Sequence, residues 1–99
     1  MTTSNDQFKD FISGVFTRAS ADYDHIGPEF FALVGRKLVE FAQLAEGAQV
    51  LDLACGRGAV LFPAAKTVSS SGVVTGIDIS EGMIRFIEKE IVDRGIENA

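Results

Sequence analysis

The sequence predicts an α/β fold in which two parallel strands are flanked by helices, and three observations carry that reading. Two short apolar runs, "AQVLDLA" (48–54) and "VVTGIDI" (73–79), have the length of buried strands and are bounded by turn residues. Segments with apolar residues at helical spacing precede, separate and follow them. Strands that alternate with helices pair in parallel through right-handed crossovers.

Residues 1–7 are polar and expected to fray. From Phe8 to Ala21, the residues Phe8, Phe11, Ile12, Val15, Phe16 and Ala19 recur at helical spacing and predict a short amphipathic helix. "DYDHIGP" reads as a loop, and Pro28 suits a first helical turn. A second helix is expected from Pro28 to Glu46, with Phe30, Phe31, Val34, Leu38, Phe41, Ala42 and Ala45 as its apolar stripe and Gly47 at its end. That stripe is expected in the core.

After the first strand, "AVLFPAAKTV" reads as a helix starting near Ala59, which leaves Pro63 at the edge of the first turn, where a missing N–H costs least. "SSSG" (69–72) is a turn. Ser80 is placed to cap the last helix, with Glu81 near its positive end. Met83, Ile84, Ile87, Ile91 and Val92 line one side of that helix, and Gly95 stops it.

With 99 residues the chain holds one domain at most. Its net charge of −5, without a Lys/Arg cluster, argues against an electrostatic hold on nucleic acid or an anionic membrane. Cys55 is the one cysteine and His25 the one histidine, so neither an intrachain disulfide nor a zinc site of the usual kind can form, and no metal is expected. The N-terminus has no signal pattern, and no segment approaches the roughly 20 apolar residues that span a bilayer. A cytoplasmic protein is the expectation.

The chemistry concentrates at the ends of the two strands, where open α/β sheets bind ligands. In "VLDLACGRG", Gly56 and Gly58 let the backbone approach a ligand and turn into a helix N-terminus. Asp78 lies twenty positions after Gly58, the spacing at which a carboxylate can take both hydroxyls of a ribose. Glycine turn and distant acid together imply a nucleoside-containing cofactor. A NAD- or FAD-type dinucleotide fits less well. The G-x-G-x-x-G/A fingerprint is met poorly, because Leu61 falls at the third small position when the motif starts at Gly56, and Ala54 replaces the first glycine when it starts there. Asp52, just before the loop, can brace the loop amides or meet a cationic group on the ligand. A pyrophosphate would be repelled by it, and a methionine-derived amino group would be held.

"VLDLACGRG" followed by "VVTGIDIS" resembles motif I and the acidic second-strand motif of class I S-adenosylmethionine-dependent methyltransferases. The group that includes the ubiquinone/menaquinone biosynthesis methyltransferases is the most similar, and "YDHIGPEFFALVGRKLVEFAQLAEGAQ" resembles its cofactor-covering N-terminal segment. The resemblance runs from about Tyr23 to Ala99. It implies the N-terminal part of a Rossmann-like methyltransferase fold, with residues 1–27 as helix and covering loop and 28–99 as the first half of the cofactor domain. The implied cofactor is S-adenosyl-L-methionine, with S-adenosyl-L-homocysteine as product. Asp52, Gly56 and Gly58 would surround the methionine moiety, with Ala54 also among the cofactor-binding residues, and Tyr23 would lie over the methionine end. Asp78 would hold the ribose and Ile79 the adenine face, with Ser80 and Met83 on the adenine side. Ala54 stands where that motif usually has glycine, a change expected to ask only for α- or β-region backbone. Arg57 stands where threonine or serine is common.

Each of these residues also has a plainer reading. The glycines can serve only a tight turn, Asp78 can neighbour a helix cap, and Tyr23 can be a core aromatic. Cys55 reads as a small packed residue and His25 as a solvated loop residue. The resemblance implies a sheet of more strands, of which this chain supplies the first two. The expectation is therefore the cofactor-binding portion of a longer methyltransferase, inactive or nearly so alone, with no catalytic residue assignable and a small-molecule acceptor of unknown type. A non-catalytic interaction module derived from a methyltransferase is the other outcome. The outer edge of the first strand lacks a partner, so self-association through it is expected.

Overall fold

A helix opens the chain and a strand–helix–strand–helix unit closes it, with one further helix between. The structure, a computed structural model, describes residues 4–19 and 28–99. Helix α1 is Ser4–Ala19, α2 Pro28–Ala42, β1 Gln49–Leu53, α3 Leu61–Val68, β2 Val73–Ile77 and α4 Glu81–Asp93. The strands pair in parallel, with Asp52 opposite Gly76 and Leu53 opposite Ile77. This is the expected α/β arrangement.

Several boundaries move for local reasons. Helix α1 starts at Ser4, within the stretch expected to fray, and places Asp6 in its first turn, where the helix dipole favours an acid. Helix α2 ends at Ala42 rather than Glu46, because Gln43 turns left-handed with φ +51°. Gly47 has φ +85° in the following turn, and its N–H donates to the Val68 carbonyl at 2.8 Å. Helix α3 starts at Leu61, so Pro63 is its third residue and lacks an amide that would have had no intrahelical acceptor. Helix α4 ends with Gly95 at φ +65°, the Gly95 N–H on the Val92 carbonyl and the Ile96 N–H on the Ile91 carbonyl. That pair of bonds is the Schellman ending, which a glycine makes at no steric cost.

The core lies between one face of the sheet and helices α3 and α4. Leu61, Ala64, Ala65, Val68, Val74 and Ile87 are all buried there. On the opposite face Leu51, Leu53, Val73 and Ile77 are exposed. The outer edge of β1 has no partner among the described residues, whereas β2 receives the C-terminal residues: the Val74 N–H donates to the Asn98 carbonyl at 2.8 Å.

The apolar stripe of α2 is not core, contrary to expectation. Phe30, Phe31, Val34, Leu38 and Phe41 are exposed, Phe41 by 88%. Helix α2 docks instead through Gly35 and Val39. A Cβ at Gly35 would stand 2.0 Å from the Ala59 carbonyl oxygen, so only glycine lets the helix backbone lie on the loop. Met83 and Ile87 of α4 are buried as expected, but Val92 is exposed.

Candidate functional site

Both strands end in an acid, and the loop between β1 and α3 is stitched to the end of β2. The Cys55 N–H donates to the Ile77 carbonyl at 2.9 Å, and the Gly56 N–H donates to Asp78 Oδ2 at 2.9 Å. The other oxygen, Asp78 Oδ1, accepts the Ser80 N–H at 2.8 Å. One carboxylate thus fixes the glycine loop and the turn into α4.

Asp52 is in a different state. It points to the helix-covered face, where Oδ2 is sealed from solvent and has no hydrogen-bond partner among the described residues. Burial pushes its carboxyl above the usual value; a backbone hydrogen bond from Leu61 at the start of α3 opposes this, and the charge of Asp78 adds to it. The thiol of Cys55 is buried and pushed up to about 11, by desolvation first and then by Asp52 and Asp78. It is a packed residue rather than a nucleophile, because the thiolate is the reactive form.

The loop itself holds three left-handed residues: Ala54 at φ +57°, Gly56 at +53° and Gly58 at +92°. The expectation that Ala54 takes an α- or β-region conformation is therefore corrected, and its Cβ strains a turn that glycine would make freely. The two glycines serve different ends. A Cβ at Gly58 would lie 2.3 Å from the Phe62 ring, whereas one at Gly56 would meet nothing within 4 Å. Gly58 is required by internal contacts, and Gly56 faces open space.

A cleft of about 740 Å³ lies beside the loop, within the size range of small-molecule sites. Asp52, Ala54, Gly56 and Gly58 line it, together with Phe31 and Arg36 of α2. Asp78, Ile79, Ser80 and Met83 are not in its wall. Ile79 is 51% exposed beside Asp78 and offers an apolar surface. Ser80 and Met83, expected on the adenine side, are sealed and present no surface to a ligand. Ser80 Oγ caps α4 by accepting the Met83 N–H at 3.2 Å. The Arg57 guanidinium stacks 3.3 Å over the Phe86 ring, which joins the loop to α4. Tyr23 and His25 lie outside the described residues.

Two residues with such contacts escaped the sequence reading. Ser13 and Thr17 of α1 hydrogen bond to the turn after Asp78. On a helix of alternating character, two hydroxyls on the polar side carry no signal that separates them from solvated ones.

A glycine loop at one parallel strand end is locked to an acid at the next, at the place where open α/β sheets bind ligands. Residues 44–99 match the family described as Methyltransferase domain. The chain is 47% identical over 91 residues to aklanonic acid methyltransferase DauC of Streptomyces sp. (strain C5), covering 92% of this chain and 41% of that protein. It is 31% identical to the ubiquinone/menaquinone biosynthesis C-methyltransferase UbiE of Shewanella woodyi, covering 96% of this chain and 39% of that one. A solved SAM-dependent methyltransferase from Aquifex aeolicus superposes with a TM-score of 0.59 at 31% identity, covering 65% of this chain and 34% of the other. The chain belongs to the class I S-adenosylmethionine-dependent methyltransferases. It spans about two-fifths of the length of these curated relatives.

Membership implies S-adenosylmethionine as the cofactor, and two features of the site fit it. Asp52 stands in the wall of the cleft, where its carboxylate would suit a cationic amino group, and the open space at Gly56 would admit a ligand against the backbone. No helix among the described residues is long and apolar enough to cross a membrane.

Proposed function

We propose that this chain holds S-adenosylmethionine across the paired ends of β1 and β2, as the cofactor-binding portion of a methyltransferase acting on a small organic acceptor. The observation that carries the proposal is the Asp78 bridge. Its oxygens accept the Gly56 and Ser80 amides at 2.9 and 2.8 Å, so loop and acid form one site. Each carboxylate oxygen offers about two acceptor positions. One on each is used, which leaves one on each for the neighbouring hydroxyls of a ribose.

Asp52 answers the methionine amino group, and the backbone at Ala54, Gly56 and Gly58 shapes the methionine end. The exposed face of Ile79 receives the adenine. Ser80 and Met83 serve the adenine side from behind, as cap and core. Tyr23, in residues 1–27, closes over the methionine end on the strength of the family resemblance. When bound, S-adenosylmethionine supplies a sulfonium-activated methyl group, and S-adenosylhomocysteine remains after transfer. The chain's own work is alignment: Asp78 and Asp52 fix the two ends of the cofactor, which sets the direction in which the methyl group points.

The acceptor is a small molecule by analogy with relatives named for aklanonic acid and for ubiquinone and menaquinone. The acceptor atom is not assigned, and no residue is assigned to catalysis. A cytoplasmic location is proposed with it. So is self-association, through the free edge of β1 and the exposed Leu51, Leu53, Val73 and Ile77. Light scattering at rising concentration tests it, and a mass that stays at one chain contradicts it.

Calorimetric titration with S-adenosylhomocysteine and with NAD tests the cofactor. Saturable binding of the first alone supports the proposal. Binding of NAD without S-adenosylhomocysteine replaces it with the dinucleotide reading.

A further inference from the structure

Helix α1 does not dock by the stripe that makes it amphipathic. Phe8, Phe11 and Phe16 are exposed, Phe11 by 63%. The hydrogen bonds that tie α1 to the start of α4 come from hydroxyls one helical turn apart. Ser13 Oγ donates to the Ile79 carbonyl at 2.7 Å. Thr17 Oγ1 shares a hydrogen bond of 2.9 Å with Ser80 Oγ and accepts the Gly82 N–H at 3.3 Å. Residues four apart lie on one helix face, so both contacts are made by a single docking event.

Their partners, Ile79, Ser80 and Gly82, follow directly on Asp78. Ser80 is sealed from solvent; its hydroxyl caps α4, and its N–H holds Asp78 Oδ1 at 2.8 Å. A connected path therefore runs from Thr17 through Ser80 to Asp78, and from Asp78 to the glycine loop at Gly56. A carboxylate held only from the loop side could rotate. Fixed through Ser80 as well, it presents its remaining acceptor positions in one direction.

We infer that Ser13 and Thr17 are positioning residues for the nucleoside end of the cofactor site. Helix α1 clamps the Ile79–Gly82 turn, and the clamp sets the orientation of the Asp78 carboxylate. The inference rests on the reading of Asp78 as the ribose acid. It also makes docking of α1 and occupation of the site mutually stabilising, since each favours the same arrangement of one turn.

The test joins calorimetry to hydrogen exchange, with S-adenosylhomocysteine as the probe. Thr17→Val keeps the shape of the side chain and removes the hydroxyl; it weakens binding about tenfold, within the usual span of coupling between sites. Ser13→Ala weakens it less, Thr17→Ser restores it, and Phe11→Ser, on the exposed face, leaves it unchanged. In the unaltered chain, saturating probe slows amide exchange across α1 by a factor that matches the loss in Thr17→Val. Unchanged affinity in Thr17→Val and Ser13→Ala, or unchanged α1 exchange on saturation, overturns the inference while leaving the cofactor reading intact. Absence of binding by the unaltered chain overturns both. The exchange comparison needs no variant and so stands even where Thr17→Val does not fold.

Discussion

The ends of β1 and β2 each carry one acid, and the two acids are held in opposite ways. Asp78 is satisfied by two backbone amides, from Gly56 and Ser80. Asp52, one strand away, keeps a sealed oxygen without a partner among the described residues, and burial raises its carboxyl above the ordinary range. The contrast separates two kinds of readiness. An acid held by amides is aimed before any ligand arrives, and its remaining acceptor positions recognise hydroxyls by direction. A desolvated acid with an orphaned oxygen is aimed less and unsatisfied more, so it favours a cation. A ligand carrying a ribose at one end and an ammonium at the other meets both conditions.

The largest expected effect comes from breaking the satisfied end. Asp78→Ala removes the proposed ribose contacts and unties the glycine loop from the end of β2, and S-adenosylhomocysteine affinity falls about 100-fold or more, the worth of two hydrogen bonds to a charged group. Exchange at the Gly56 and Ser80 amides speeds up in the same variant. Breaking the unsatisfied end costs less binding and changes a different observable. Asp52→Asn weakens the probe about tenfold, since one charge-assisted contact is lost.

The pH response of Asp52 gives its sign. Its carboxyl titrates above the ordinary 3.8 when folded, so above that value the folded chain keeps a proton that the unfolded chain releases. The stability this contributes is fully present below the unfolded value and is lost as pH rises through the folded one. Urea titrations at pH values rising from the ordinary 3.8 therefore show a decline in the unaltered chain that is smaller in Asp52→Asn. An identical decline in both contradicts the assignment.

Two smaller effects sharpen the comparison within the loop. Ala54→Gly relieves a left-handed alanine at φ +57°, and raises stability by about 1 kcal/mol in thermal melts. Cys55, between the two acids with its thiol pushed up to about 11, resists alkylation at about pH 8 in the folded chain and reacts fully in denaturant. Rapid labelling of the folded chain contradicts the burial of this thiol.

Much of this was legible in the sequence. Alternating strand and helix patterns imposed parallel pairing, Ser80 marked a cap, and Gly95 marked a helix end. The step from Gly58 to Asp78 placed an acid beside the loop because both stand just past the ends of adjacent strands. What was hidden has physical causes. Periodicity shows which face of α2 is apolar and says nothing of what covers it, and the contact passes through Gly35 and Val39 instead. Alanine gives no warning of a positive φ, so Ala54 read as unstrained. Gly58 and Gly56 look alike as letters and differ only in whether Phe62 fills the space beside them. Ser13 and Thr17 were silent because a hydroxyl that fixes a turn and one that meets water have the same spacing.

The central claim is that one composite site spans both strand ends. Amide resonances of the chain followed during titration with S-adenosylhomocysteine test it most directly. The account predicts that Gly56 and Ser80 shift together along one saturation curve, because a single carboxylate holds both. Saturation that moves one and leaves the other in place, or moves neither, contradicts it.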